Sequence, residues 1–142
     1  MADCPLCDVR GETVLWQDAF CRVILADEPD YPGFLRVVLN AHIKEMTDLP
    51  AGDQTALMRV VWAAEAALRE VLAPDKINLA SLGNVVPHLH WHVIPRFADD
   101  PHFPNPVWGA RLRDTPHVAP ADLAERITTV FNQRLARAPG TE

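Results

Sequence analysis

The stretch Pro87-His88-Leu89-His90-Trp91-His92-Val93-Ile94-Pro95-Arg96 places three of the chain's six histidines on alternate residues, with large apolar residues between them. On a strand, residues i, i+2 and i+4 share a face. His88, His90 and His92 are therefore expected on one side, and Leu89, Trp91 and Val93 on the other, toward a core. A half-buried strand whose polar face merely carries histidine is the plain alternative, and strict threefold alternation argues against it. A single three-histidine metal site is geometrically awkward. A strand rises about 3.3 Å per residue, so the outer two backbones lie roughly 13 Å apart. Ligands of one zinc lie about 2.1 Å from it. Nucleophilic and electrostatic catalysis suits the pattern better. A neutral imidazole is a competent nucleophile near pH 7, and a second, protonated one can hold an anionic oxygen. A phosphate ester offers both the electrophile and the oxygens. Just upstream, Ser81-Leu82-Gly83-Asn84-Val85-Val86 reads as a turn whose glycine lets backbone N–H groups approach a phosphate.

A second constellation is Cys4-Pro-Leu-Cys7, which has the spacing of half a tetrahedral zinc site. No β-α-β context follows it, which argues against a thioredoxin-like redox pair. A zinc site needs two more ligands, and His42 and His88 are candidates; the alternative is two free thiols, with His42 on the phosphate side. Cys21 reads as a buried strand residue. Arg96 is either a cation near phosphate or an exposed strand-end residue, and Trp62 and Trp91 read as packing.

These residues need a scaffold. The 142 residues, 49% of them hydrophobic, suit one compact domain. No apolar run reaches the roughly 18 residues of a membrane span, and the start MADCPLCDVRGE lacks the form of a secretory signal. A cytoplasmic protein with no membrane partner is expected. The net charge of −6, from 13 basic and 19 acidic residues, argues against a nucleic-acid partner. It leaves room for a small phosphorylated ligand held locally.

Apolar and β-branched runs at residues 13–17, 20–26, 34–40, 76–82 and 88–95 read as strands. Leu57, Val60, Val61, Ala64, Leu68, Val71 and Leu72 recur at helical spacing, predicting a helix of about 20 residues that ends before Pro74. The proline-rich residues 98–120 read as a long loop. Leu123, Ile127, Val130, Phe131 and Leu135 mark a final helix from Pro120 to about Arg137. The expected class is α+β: an antiparallel β-meander of about five strands, with one long helix packed on it and a C-terminal helix. No internal repeat or second domain is visible. The whole chain, 1–142, reads as one unit, with a core at about 4–108 and a C-terminal loop and helix at 109–142.

The pattern Gly83-Asn84-x-x-x-His88-Leu-His90-x-His92-Val-Ile-Pro-Arg resembles the signature of the histidine triad (HIT) family. Residues 20–40, with the turn Tyr31-Pro32-Gly33-Phe34, are similar to that family's first strands, and Asn40-Ala41-His42-Ile43 to its strand-end motif before the helix. The resemblance runs from roughly Cys4 to Trp108. It implies a nucleotide-binding hydrolase that cleaves nucleoside 5′-phosphate derivatives, either dinucleoside polyphosphates or nucleoside phosphoramidates. The middle histidine, His90, would attack the α-phosphorus and carry the nucleotide, and His92 would hold a phosphate oxygen or the leaving-group side. Backbone N–H groups around Gly83 and Val85 would bind the α-phosphate. Asn84 stands where many members carry Gln, Asp27 where the ribose hydroxyls are met, and Asn78 near a phosphate-side Asn. In some branches an N-terminal Cys-x-x-Cys joins a His after the third strand and the first triad His around zinc. That implies a structural zinc on Cys4, Cys7, His42 and His88, with His90 and His92 left to the substrate. A homodimer is also implied, and the segment 102–108 resembles a tail that reaches a partner's site in some dimers. No organic cofactor is expected. The rival readings are a nucleotidyltransferase and a non-catalytic, zinc-stabilised nucleotide sensor.

Overall fold

The computed structural model describes residues 4–115 and 117–136. Five strands form one antiparallel sheet: β1 (Thr13–Gln17), β2 (Cys21–Leu25), β3 (Leu35–Leu39), β4 (Lys76–Ala80) and β5 (His90–Arg96). Between β3 and β4 lies helix α1 (Ala51–Leu72), and helix α2 (Leu123–Ala136) follows β5. The strand order is β1-β2-β3-β5-β4. The first three strands run as a meander. The chain then crosses through α1 to the sheet edge as β4 and returns as β5 between β4 and β3. The expected Arg137 at the end of the final helix lies outside the described residues.

Period-two patterning decides which face of the sheet the helices cover. The register pairs Val37 with Trp91 and Leu35 with Val93, and Val23 with Val37. Directly opposed residues share a face. Val23, Leu35, Val37 and Val93 are fully buried, and against them packs the apolar stripe of α1: Leu57, Val60, Val61, Ala64, Ala67 and Leu68. Helix α2 adds Leu123, Ile127 and Phe131 to the same cluster, and the Phe131 ring meets Trp16 of β1. Pro50 precedes the first turn of α1, and Asp53 lies within that turn. The helix ends where Ala73 takes a left-handed conformation, because Pro74 cannot continue it.

The turn that delivers β3 to the site needs a glycine. Gly33 has φ +92°, and a Cβ there would lie 2.7 Å from a methyl of Leu72. Among the described residues no helix is long and apolar enough to cross a membrane.

Candidate functional site

The opposite face of the sheet carries the chemistry. On β5 it presents His90, His92, Ile94 and Arg96. On β3 it presents Arg36, opposite His92, and Val38, opposite His90; on β2 it presents Arg22 and Ile24. One expectation changes here. Regular pairing of β5 begins at His90, so only His90 and His92 alternate along the strand, and His88 lies in the irregular segment before it. Freed from the strand, His88 turns toward the N-terminal cysteines. This resolves the difficulty of three imidazoles in one line.

The cysteine pair is brought there by its own lead segment. The N–H of Cys7 closes a turn on the Cys4 carbonyl. Leu6 packs on Ile24 and Val38, and the Arg22 guanidinium donates to the Leu6 carbonyl at 2.7 Å while gripping both carboxylate oxygens of Glu12. Donor atoms of Cys4, Cys7, His42 and His88 all lie within 4.8 Å of one another. Nδ1 of His88 is 3.5 Å from each sulfur, and Nδ1 of His42 is 3.3 Å from that of Cys7. Metal–sulfur bonds of about 2.3 Å and metal–nitrogen bonds of about 2.0 Å require N···S edges of roughly 3.5 Å in a tetrahedron, so the residues fit a metal ion. Its tautomer fits as well. The Nε2–H of fully buried His88 donates to the Leu39 carbonyl at 2.6 Å, which leaves the Nδ1 lone pair facing the sulfurs.

The same logic fixes the next imidazole. The Nδ1–H of His90 donates to the His88 carbonyl at 2.6 Å. A carbonyl can only accept, so Nδ1 keeps its proton and Nε2 of the neutral ring keeps its lone pair. Burial, reinforced by the charge of Arg36, lowers the pKa of His90. The His92 ring stands edge-on to His90 at 4.9 Å and is flanked by Phe34 at 5.6 Å and Trp108 at 5.0 Å. Burial, then His90 and Arg36, push His92 down to about 4. The expected protonated second imidazole is therefore corrected: His92 is neutral at pH 7 and would meet an oxygen as an N–H donor. Its buried Nδ1 has no hydrogen-bond partner among the described residues.

Other expected residues fall around this pair. Gly83 adopts φ +71° and lines a cavity of about 420 Å³ together with Ser81, Leu82, Lys44, His88 and His90. The Ser81 hydroxyl donates to the His90 carbonyl at 2.9 Å, tying the glycine turn to the strand. Asn84 and Val85 are exposed at the tip of that turn. Asp27 is exposed just past β2 and accepts no hydrogen bond among the described residues. Asn78, on β4 opposite Ile94, accepts a 2.8 Å hydrogen bond from Arg96, so its oxygen is already engaged.

Arg96 is neither an exposed strand end nor free for a phosphate. It is 2% exposed and bridges both oxygens of fully buried Asp100, with N···O distances of 2.8 and 3.0 Å. Asp100 also accepts from the N–H groups of Phe97, His102 and Phe103 and from the Tyr31 hydroxyl. This hub folds residues 97–113 back over the sheet, which puts Trp108 beside His92. Nothing in the sequence signalled it, because the proline-rich segment has no periodicity. Burial would raise the Asp100 pKa, but Arg96 and the three N–H groups outweigh it and hold the carboxyl well below the usual range. Its stabilisation is thus complete above about pH 4, where an unfolded Asp is ionised, and is lost as pH falls through the depressed folded value. Asp100→Asn is expected to destabilise the fold by about 3–5 kcal/mol, the cost of stranding a buried guanidinium. Urea denaturation at pH 7 measures this, and the gap to wild type should narrow below pH 4.

Sequence reasoning missed Arg36 and Lys44 at the site, and it did not foresee the bond from Ser81 to the His90 carbonyl. Only the strand register and the turn geometry reveal them.

An antiparallel five-stranded sheet backed by a long helix, with alternating histidines on an interior strand, defines a histidine-triad fold. The chain belongs to the HIT domain family, which it matches over residues 9–99. It is 28% identical over 109 residues to the AP-4-A phosphorylase of Mycobacterium tuberculosis, covering 69% of this chain and 56% of that protein. It is 29% identical over 103 residues to the adenylylsulfatase HINT3 of Arabidopsis thaliana, covering 66% and 52%. The chain thus spans about half the length of these curated relatives. The crystal structure of a histidine triad protein from Bradyrhizobium japonicum matches with a TM-score of 0.70 at 29% identity, covering 87% of this chain and 90% of that one.

Proposed function

We propose that this protein is a nucleotide-binding hydrolase that cleaves nucleoside 5′-phosphate derivatives at the α-phosphorus through a nucleotidyl-histidine intermediate on His90. One observation carries the reading. The Nδ1–H of His90 is spent on the His88 carbonyl, so the ring keeps a nucleophilic Nε2 next to a glycine turn. In the first step the Nε2 lone pair forms a bond to the α-phosphorus. The bond from phosphorus to the leaving group breaks, and the leaving group departs with its electron pair and takes up a proton. In the second step water attacks the phosphorus and gives up a proton to solvent, the N–P bond breaks, and Nε2 recovers its lone pair. N–H groups of the 83–85 turn would hold the phosphoryl oxygens, and neutral His92 would donate to an oxygen on the leaving-group side. Asp27 and Asn84 keep the substrate-binding roles that the family resemblance implies, and Asn78, its oxygen held by Arg96, would reach a phosphate through its Nδ2–H.

Zinc is the metal that best suits two thiolates and two imidazoles. With four protein ligands such an ion would be closed to substrate, and it would contribute folding free energy. His88 then belongs to the metal, and its share in catalysis is its carbonyl, which orients His90. Reduced thiol ligands support a cytoplasmic location. The open edge of β4 supports a homodimer, and the packing of α2 on α1 and β1 supports one unit over 1–142.

Nucleotidyl transfer to an acceptor other than water is the second reading, favoured by the relative named a phosphorylase. A dinucleoside polyphosphate incubated in ¹⁸O-water, with and without inorganic phosphate, separates the two. Labelled nucleoside monophosphate marks hydrolysis, and phosphate-dependent nucleoside diphosphate marks transfer. No product from this substrate or from a nucleoside phosphoramidate, although nucleotide binds, would overturn both in favour of a sensor.

A further inference from the structure

The histidine face of the sheet carries arginines from β2, β3 and β5, and two of them are neutralised. Arg22 pairs with Glu12 at 2.8 Å, and Arg96 with Asp100 at 2.8 Å. Arg36 differs. Among the described residues it has neither a carboxylate partner nor a hydrogen bond, and its Nε is buried without one. It sits directly across the β3–β5 ladder from His92. Its guanidinium lies 5.8 Å over the Phe34 ring, whose neighbour is the His92 ring. A buried cationic N–H left unmatched costs about 1–3 kcal/mol or more. Arg36 is partly exposed and rests on Phe34, yet that contact leaves the buried Nε–H unmatched, and an anion arriving with the ligand would match it.

The register indicates which anion. Arg36 is aligned with His92, two residues along β5 from the nucleophile His90 and farther from the Gly83 turn. At about 3.3 Å per residue that is roughly 7 Å along the strand. The turn and His90 address the transferred phosphoryl group, so Arg36 addresses a second charge. Resting on the functional reading above, we propose that Arg36 is a specificity-determining residue that binds an anionic leaving group. It would select phosphoanhydride-type substrates over phosphoramidates whose leaving group is an uncharged amine.

The test compares kcat/KM for a dinucleoside polyphosphate and for a nucleoside 5′-phosphoramidate with a neutral amine leaving group. Wild type, Arg36→Met and Arg36→Lys are used, with circular dichroism and melting confirming the fold. Methionine keeps an apolar stem over Phe34 and removes the charge. The preference for the anionic substrate should fall roughly 30-fold in Arg36→Met, as expected for loss of a charge-assisted hydrogen bond. Arg36→Lys should recover much of it. Equal loss on both substrates, or no loss on either, would overturn the proposal. If wild type turns over neither substrate, the catalytic reading fails, and binding still decides the role of Arg36. Nucleoside diphosphate should then bind wild type more tightly than monophosphate, and Arg36→Met should erase the difference. An unchanged difference would refute the role.

Discussion

His90→Ala should lower kcat/KM by at least about a thousandfold while changing nucleotide affinity only a few-fold. The loss is large because the proposed route has no second nucleophile. His92 sits two residues farther along β5 from the glycine turn, outside the cavity that His90 lines, and the lone pair of His88 faces the cysteines. Removing a covalent nucleophile leaves only the binding and oxyanion contributions, which in other hydrolases retain a small residue of the full acceleration. Affinity should survive because the glycine turn and His92 remain. Steady-state kinetics with parallel calorimetric titration of a nucleoside monophosphate measures both. The alanine variant also removes the partner of the His88 carbonyl, at a modest cost in stability, and a folded, nucleotide-binding but inactive protein is the expected result. Retention of a tenth or more of wild-type turnover would remove His90 from the chemistry.

The second large effect concerns the metal. Cys7→Ser should abolish stoichiometric zinc and lower the melting temperature by roughly 10–20 °C. That is the shift expected for about 5 kcal/mol in a domain of this size. The lead segment is otherwise held by Leu6 and by the Arg22 grip on Glu12 and the Leu6 carbonyl, so it has few other ties to the sheet. Activity should fall too. His88 links the two constellations: its ring faces the sulfurs, and its carbonyl orients the His90 ring. Loosening the ring loosens the carbonyl, and a nucleophile held less firmly reacts more slowly. Zinc content by plasma emission, together with melting scans before and after chelation, checks this. Full stability and activity in a zinc-free protein would contradict it.

Much of the scaffold could be read directly. The β-branched runs placed the strands within a residue or two, and the apolar spacing from Leu57 to Leu72 placed α1. The expected α+β sheet with two helices is what forms. The order of β4 and β5 was not legible, because a parallel or crossed placement is decided by tertiary packing. The histidine alternation pointed to the correct strand, but it suggested three equivalent side chains. His88 departs because the chain enters β5 from the irregular turn behind Gly83, where its Nε2–H finds the Leu39 carbonyl. Nothing in the run Phe34-Leu35-Arg36-Val37-Val38 singles out Arg36. Its meaning comes from the residue across the ladder, which a single sequence does not display. The Arg96–Asp100 pair was hidden for a similar reason. An i,i+4 spacing carries weight in a helix, and here it closes a loop.

The central claim is that His90 carries the nucleotide covalently. The most direct measurement incubates the protein with a diadenosine polyphosphate or an adenosine phosphoramidate, quenches it within milliseconds, and maps the adduct by mass spectrometry under conditions that preserve phosphoramidates. An adenylyl mass on the peptide containing His90, absent from His90→Ala, is the predicted result. Turnover without an adduct, or an adduct on another residue, would contradict it.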